Sequence, residues 1–330
     1  MSAHPRPGAG AASSVHGRAG VVVGIDIGGT KTAAALVRPD GRLAHRVEAP
    51  TPASQGAEAI LDTVAALAAE TARRAGGVPA AYGVGSAGGF DEHGTVVHST
   101  DHLAGWSGTD VAGGLRARLG APVVVVNDVH AAALGEQWAG APDGFLFVAV
   151  GTGIGGAVVS DGRLLRGASG MAGSVGHVRI PSSRRRICSC GGVDHVEAFA
   201  SGPGIELTYA EFSARSLGLR EIGRLARGGD VVAAQVIRLA AEELGESLAA
   251  SVVAVDPGTV LIGGGVSGLG ELFVGPLADR LRASLRPPFS AVQVTVARAG
   301  PDAALVGAGR LALAASRSAE VHDVAPSRAE

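Results

Sequence analysis

Val21-Val22-Val23-Gly24-Ile25-Asp26-Ile27-Gly28-Gly29-Thr30-Lys31 is the stretch on which the reading of the fold turns. An apolar run that ends in paired glycines is a buried strand entering a tight turn. Ala33 to Val37 is apolar again and stops at Pro39-Asp40-Gly41, which predicts two antiparallel strands around a glycine turn. Leu43 to Ala49 predicts a third strand. The pattern then returns: Phe145 to Val150 is apolar, Gly151-Thr152-Gly153-Ile154-Gly155-Gly156 is a glycine turn, and Ala157 to Val159 leads into Asp161-Gly162-Arg163-Leu164. The first copy ends in Asp40-Gly41-Arg42-Leu43, so the offset is 161 − 40 = 121 residues, the size of one domain. Two related halves that face each other enclose a cleft.

Between and beyond the copies, strands alternate with helices. Ile60, Leu61, Val64, Leu67 and Ala68 share one face at helical spacing and predict a helix over Ala57 to Ala75. Ala80 to Gly85 and Val123 to Val126 predict buried strands, the second ending at Asn127-Asp128. Val236, Ala240, Leu244, Leu248 and Val252 form an i, i+4 stripe that predicts a core helix from Asp230 to Val255. Val260 to Ile262 predicts a strand running into Gly263-Gly264-Gly265, followed by a helix from Ser267 to Leu285 and a last helix from Asp302 to Ala315. This is an α/β architecture with functional loops at the strand ends. The division it predicts is a tail over 1–20, an α/β domain over 21–128, a second over 129–300, a closing helix over 301–316 and a tail over 317–330.

Composition narrows the partners. A formal net charge of −2 shows no basic excess, so neither nucleic acid nor an anionic membrane is expected. No apolar run approaches the roughly 20 residues that span a bilayer, and the first residues lack the apolar core of a signal peptide, which points to the cytoplasm and a small-molecule partner. Lys31 is the only lysine among 28 basic residues. A compact ammonium beside phosphate oxygens is one role that arginine's broad fork does not fill. The only cysteines, Cys188 and Cys190, are one residue apart, poor spacing for a disulfide and good spacing for two thiolates on one metal.

Glycine turns let backbone N–H groups approach phosphate oxygens without a Cβ in the way. One such turn reads equally well as a plain hairpin; three read as a nucleotide site. Gly28, Gly29, Thr30 and Lys31 form the first cradle and Gly151, Thr152 and Gly153 the second. Gly264 and Gly265, before a helix, suit the adenosine portion. Asp26 either caps its turn or holds magnesium, directly or through water.

GIDIGGTK (24–31), PVVVVNDVHAAALGE (122–136), VGTGIGG (150–156), MAGSVGH (171–177), CSCGG (188–192) and LIGGGVS (261–267) occur in one order. In that set the chain resembles the ROK family of bacterial sugar kinases and repressors, part of the actin-like (RNase H-like) ATPase fold with two duplicated α/β domains flanking a cleft. The resemblance implies an ATP- and magnesium-dependent kinase acting on the primary hydroxyl of a hexose-like substrate, with Asn127 on the sugar and Asp128 as general base. A carboxylate at the cleft floor accepts the proton of the attacking alcohol, although the Asp-then-apolar pattern would also permit Asp128 to cap a helix starting at Val129.

The resemblance further implies a structural zinc on His177, Cys188, Cys190 and His195, with Asp194-His195 replacing the family's glycine and third cysteine. Histidine also ligates zinc. His177 and Glu197 are implied to face the sugar, Glu197 reading otherwise as an exposed helix-start residue. Gly88 lies in the loop beside the substrate, where Ala87 and Gly89 replace prolines of the family pattern. Ser174 replaces a glutamate that contacts hydroxyls near the anomeric end, and a serine cannot make the same paired acceptor contacts. The substrate expected is therefore an altered sugar or a carbocyclic analogue such as a C7-cyclitol, ahead of plain glucose. An ordinary glucokinase is the alternative. A sugar-sensing repressor of the same family would carry a helix-turn-helix ahead of GGTK, where this sequence has a short polar tail. A homodimer or higher homo-oligomer is the expected assembly.

Overall fold

The computed structural model describes residues 21–99 and 103–323. The first half contains strands β1 (Val22–Ile27), β2 (Lys31–Val37) and β3 (Leu43–Pro50), helix α1 (Ala57–Ala75), strand β4 (Ala81–Ser86), a short pair β5 (Gly89–Phe90) and β6 (Val96–His98), helix α2 (Val111–Leu119), strand β7 (Val123–Asn127) and helix α3 (Asp128–Trp138). The second contains β8 (Phe145–Val150), β9 (Ile154–Ser160), β10 (Arg163–Leu165), α4 (Glu197–Ala200), α5 (Gly202–Ser213), α6 (Leu219–Arg227), α7 (Val231–Val255), β11 (Thr259–Gly263), α8 (Glu271–Ala283), β12 (Gln293–Val296) and α9 (Ala303–Asp323).

The two large sheets have the same topology. One runs β3-β2-β1-β4-β7 and the other β10-β9-β8-β11-β12. In each, the opening hairpin is antiparallel and the next two strands add in parallel. The 121-residue echo in sequence is thus a repeated sheet.

Burial follows the predicted periodicities. Ile60, Leu61, Val64 and Ala68 of α1 are buried, and Gly76 stops the helix at φ 67°, its N–H bonded to Arg73 O. The stripe on α7 packs with inward residues of β8 and β11 into one core. Between the sheets lie α9, against β1 and β4, and α3, which meets α9 and turns Ala133 toward Phe145, Phe147 and Ala157 of the second sheet. Glycines allow this closeness. A Cβ on Gly83 would overlap Ala308 O, one on Gly135 would overlap Ala303 O, and one on Gly307 would overlap Ala131 O.

Two elements differ from the sequence expectation. The helix expected from Ser267 is a 3-10 turn over Gly265–Leu269, then α8 from Glu271, because Gly270 at φ 63° breaks the run. The last helix continues to Asp323, past Ala315 and into the segment expected as a tail from 317. The expected tail over 1–20, and 324–330 of the other, lie outside the described residues. Among the described residues no helix is long and apolar enough to cross a membrane.

Candidate active site

The carboxyl ends of the parallel strands converge on one cleft of about 560 Å³, the size range of small-molecule sites. From the first half Gly29, Thr30, Gly88, Asn127 and Asp128 line it. From the second come Gly151, Thr152 and Gly153, then Ser174, His177, Glu197 and Gly264. Asp26, Gly28, Lys31 and Gly265 are not among its lining residues, although Asp26 stands close enough to Asp128 to feel its charge.

Asn127 and Asp128 occupy the junction of β7 and α3. Asn127 is the N-cap: its Oδ1 accepts from Val129 N (2.9 Å) and His130 N (3.2 Å), while Nδ2 donates to Gly88 O (3.0 Å). The helix cap is thus Asn127. Asp128 is the first helical residue, half-buried, with Oδ1 accepting from Val129 N at 2.9 Å. Burial holds the Asp128 carboxyl above its usual range, against the opposing pull of bonds from Val129 N and the Asn127 side chain. A raised value makes it a stronger proton acceptor once ionised. Asp26, at the end of β1, is pushed up to about 7, first by burial and then by the Asp128 charge, with Lys31 pulling the other way. A divalent cation near Asp26 would relieve the repulsion it feels from Asp128.

The glycine turns differ in what they offer. Gly28 N donates to Lys31 O at 3.0 Å, so this N–H closes the first hairpin, and Gly29 and Thr30 are the exposed members facing the cleft. Lys31 pairs with Glu48 (Nζ to Oε2, 3.2 Å), both half-exposed on the rim. In the second turn Gly151 N donates to Gly153 O (2.8 Å), with Thr152 exposed. A Cβ on Gly264 (φ 82°) would overlap Val150 O, so only glycine brings the third turn against the second.

Below the cleft, one ligand atom each of His177, Cys188, Cys190 and His195 lies within 4.8 Å of the others. Cys188 Sγ is 3.7 Å from His177 Nδ1 and Cys190 Sγ is 3.2 Å from His195 Nδ1. Two imidazole nitrogens and two thiols are the donor chemistry of a four-coordinate zinc site, in which ligands stand roughly 3.3–3.8 Å apart; here the four atoms are spread over up to 4.8 Å. Burial, with help from Glu197, pushes the Cys188 thiol up to about 12, so without a metal this sulfur keeps its proton. The loop is anchored by Arg186, whose buried guanidinium donates to Ala198 O, Gly204 O and Glu211 Oε2. Glu197 is buried and engaged on both oxygens. Oε1 accepts from Ser189 Oγ (2.6 Å) and Cys188 Sγ (3.2 Å), and Oε2 accepts from Ile154 N (2.8 Å). It thereby ties the cysteine loop to the end of the second glycine turn as well as bordering the cleft.

Ser174 borders the cleft, but its hydroxyl donates to Met171 O at 2.7 Å. Three further residues lie inside the quoted motifs but were given no role by them. His130 and Met171 line the cleft, and Glu136 fixes the approach to α9 by accepting from Arg298 N (2.7 Å) and Ala299 N (2.8 Å). His130 and Glu136 were visible as polar residues inside the apolar run VHAAALGE, where a buried polar group needs a partner. Met171 carries no such signal.

Comparison with known proteins bears on this geometry. An N-acetylmannosamine kinase from Shigella boydii is 36% identical over 87% of this chain and 97% of its own length. A glucokinase from Halalkalibacterium halodurans is 31% identical over 88% and 94%. The crystal structure of a ROK family glucokinase from Streptomyces griseus, in complex with glucose and AMPPNP, superimposes with a TM-score of 0.76 at 33% identity, covering 89% of this chain and 99% of that one. The ROK family profile matches residues 22–315, all but the two ends, and the chain belongs to the ROK family.

Proposed function

We propose that this cleft transfers the γ-phosphate of ATP to the primary hydroxyl of a hexose-like acceptor, and that the acceptor is an altered sugar or a carbocyclic analogue such as a C7-cyclitol ahead of plain glucose. The chain is a phosphotransferase with an alcohol group as acceptor. The observation that carries the rest is Asp128, a carboxylate of raised basicity at a helix start, in one cleft with glycine turns from both repeated sheets. Alcohol attack on a phosphoryl group needs alignment and a proton acceptor more than covalent help, and Asp128 would be that acceptor.

ATP would lie along Gly29, Thr30, Thr152 and Gly264. Asp26 would hold magnesium, which supplies charge neutralisation for the phosphates. Zinc on His177, Cys188, Cys190 and His195 would order the loop that carries Glu197 and keep one His177 nitrogen toward the cleft. Ser174 supports the altered acceptor: it is short, uncharged, and its proton is already spent on Met171 O. The kinase profile among relatives favours a second reading, an N-acetylmannosamine kinase, through the 36% identity over nearly the whole of that relative. The proposal includes a cytoplasmic homo-oligomer. The test is a phosphorylation panel with purified protein, comparing glucose, N-acetylmannosamine and a C7-cyclitol under saturating ATP. Preference for the cyclitol supports the first reading and preference for N-acetylmannosamine the second. Glucose turned over as well as either sinks both.

A further inference from the structure

One side of the cleft is bordered by a strap, residues 166–174, that leaves β10 of the second half and lies across the loop 86–90 of the first. Its attachments are specific. Arg166 donates to Asp91 O at 3.1 Å. Gly170 lies so near Phe90 that a Cβ would overlap Phe90 O, and Met171 lies over Gly89, where a Cβ would overlap the thioether sulfur. His130, buried in the first turn of α3, has Nε2 2.8 Å from Ala172 O. A carbonyl only accepts, so Nε2 carries the proton. Burial holds His130 below the ordinary histidine range and the ring neutral.

These contacts fix what the acceptor meets. The cleft-facing members of strap and loop are Ala87, Gly88, Gly170, Met171 and Ser174, none of them charged. Ser174 has only lone pairs to offer, since its proton goes to Met171 O. Met171 supplies a polarizable apolar surface in the space that a side chain at position 89 would otherwise occupy. A free hydroxyl pressed against the wall formed by the Met171 side chain exchanges water for no equivalent partner, whereas a methyl, a methylene or the methyl end of an acyl group loses nothing there.

We propose that Met171 selects the acceptor, favouring one that turns an uncharged methyl, methylene or acyl group to this wall over one that turns a free hydroxyl there, and that His130 is the positioning residue holding Met171 in place. The proposal rests on the kinase reading and deepens it by naming what the acceptor carries.

The test compares Met171→Leu with Met171→Gln, two changes of similar volume and opposite polarity, and adds His130→Asn. For each, kcat and KM are measured on pairs of hexoses that differ at one carbon by hydroxyl, hydrogen or N-acetyl, and on a C7-cyclitol. Dissociation constants are measured beside them by calorimetry. Wild type should prefer the substituted or deoxygenated partner of one pair by about 10-fold or more, the discrimination one methylene-sized group supports. Met171→Leu should keep that ratio. Met171→Gln should lose it through acceptor KM, with KM for ATP unchanged. His130→Asn should reduce it in the same direction, where a merely structural loss would lower turnover on every acceptor alike. Equal changes on all acceptors, Leu behaving like Gln, or a wild type without discrimination overturns the proposal. Absence of turnover would refute the kinase reading alone, because the ratio of dissociation constants still decides this one. Absence of binding to every acceptor overturns it.

Discussion

Gly85→Ala isolates the contact that seats Asp128. Gly85 on β4 is paired with Asp26 of β1 on one side and Val126 of β7 on the other, so its backbone is fixed from both directions. A Cβ there would stand 2.9 Å from Ala131 Cβ and 3.6 Å from Asp128 Cα. Carbon atoms rest about 3.5–4.0 Å apart, so the first turn of α3 must retreat by roughly 0.6–1 Å. Farther along, α3 cannot move as a body, because Gly135 and Gly307 already bring it into backbone contact with α9. The displacement therefore falls on Asn127 and Asp128. Overpacking of this kind costs about 1–3 kcal/mol, and a misplacement near 1 Å at the reacting centre costs up to about 100-fold in rate. The assays are steady-state turnover at saturating ATP with the best acceptor of the panel, calorimetry of nucleotide binding, and urea unfolding. The expected outcome is kcat lower by about 10- to 100-fold with nucleotide affinity changed by less than about threefold. Gly258→Ala is the control: nothing lies within 4 Å of its Cβ, and stability should stay within about 0.5 kcal/mol. A destabilised Gly85→Ala protein with wild-type kcat would refute the claim that this contact places the base.

Asp128→Asn should keep nucleotide binding while turnover falls by about 100-fold or more, the scale of general-base loss; unchanged turnover removes Asp128 from the mechanism. Because burial raises the Asp128 value and a base must be ionised, kcat should fall on acidification with an acid limb above the ordinary aspartate range; a limb at about pH 4 or below contradicts this. Asp26 is raised from 3.8 to about 7 in the folded chain, so its stabilising contribution is full below the unfolded value and lost as pH rises through the folded one. The melting temperature of nucleotide-free protein should drop between about pH 5 and about pH 8, and Asp26→Asn should flatten that slope; an unchanged slope refutes the assignment. Protein purified without chelator should contain one zinc per chain by elemental analysis, and Cys190→Ser should bind it more weakly. Metal-free native protein counts against the four-ligand site.

Much of the fold was legible because it rests on local pattern. The hairpins announce themselves through apolar runs ending in glycine, and the repeat through Asp40-Gly41-Arg42-Leu43 and Asp161-Gly162-Arg163-Leu164. The bounds of α1 were readable because its apolar face is regular and Gly76 is a left-handed stop. The break before α8 was not, since Gly270 acts through its φ and glycine in an otherwise helical pattern is not by itself decisive. Lys31 shows the same limit. Its rarity marked it out, but only coordinates reveal its pairing with Glu48. Glu197 was found by motif, whereas its bond to Ile154 N, which joins the cysteine loop to a glycine turn, spans 43 residues of sequence.

The transfer side and the acceptor side of the cleft differ in kind, and the difference explains why one could be read and the other could not. A phosphate cradle or a base at a helix start is made by neighbours in sequence, because backbone N–H groups and a cap act over a few residues. The acceptor wall is made by pairs that only folding brings together: Met171 with Gly89, and His130 with Ala172 O, 42 residues away. In such pairs neither member signals its role alone. Gly89 reads as a lost side chain until Met171 is seen in the vacated space, and Ser174 reads as a lost charge until its hydroxyl is found bonded within the strap. The two departures are therefore one packing solution, and placing a bulky residue at position 89 without shrinking Met171 should break the strap.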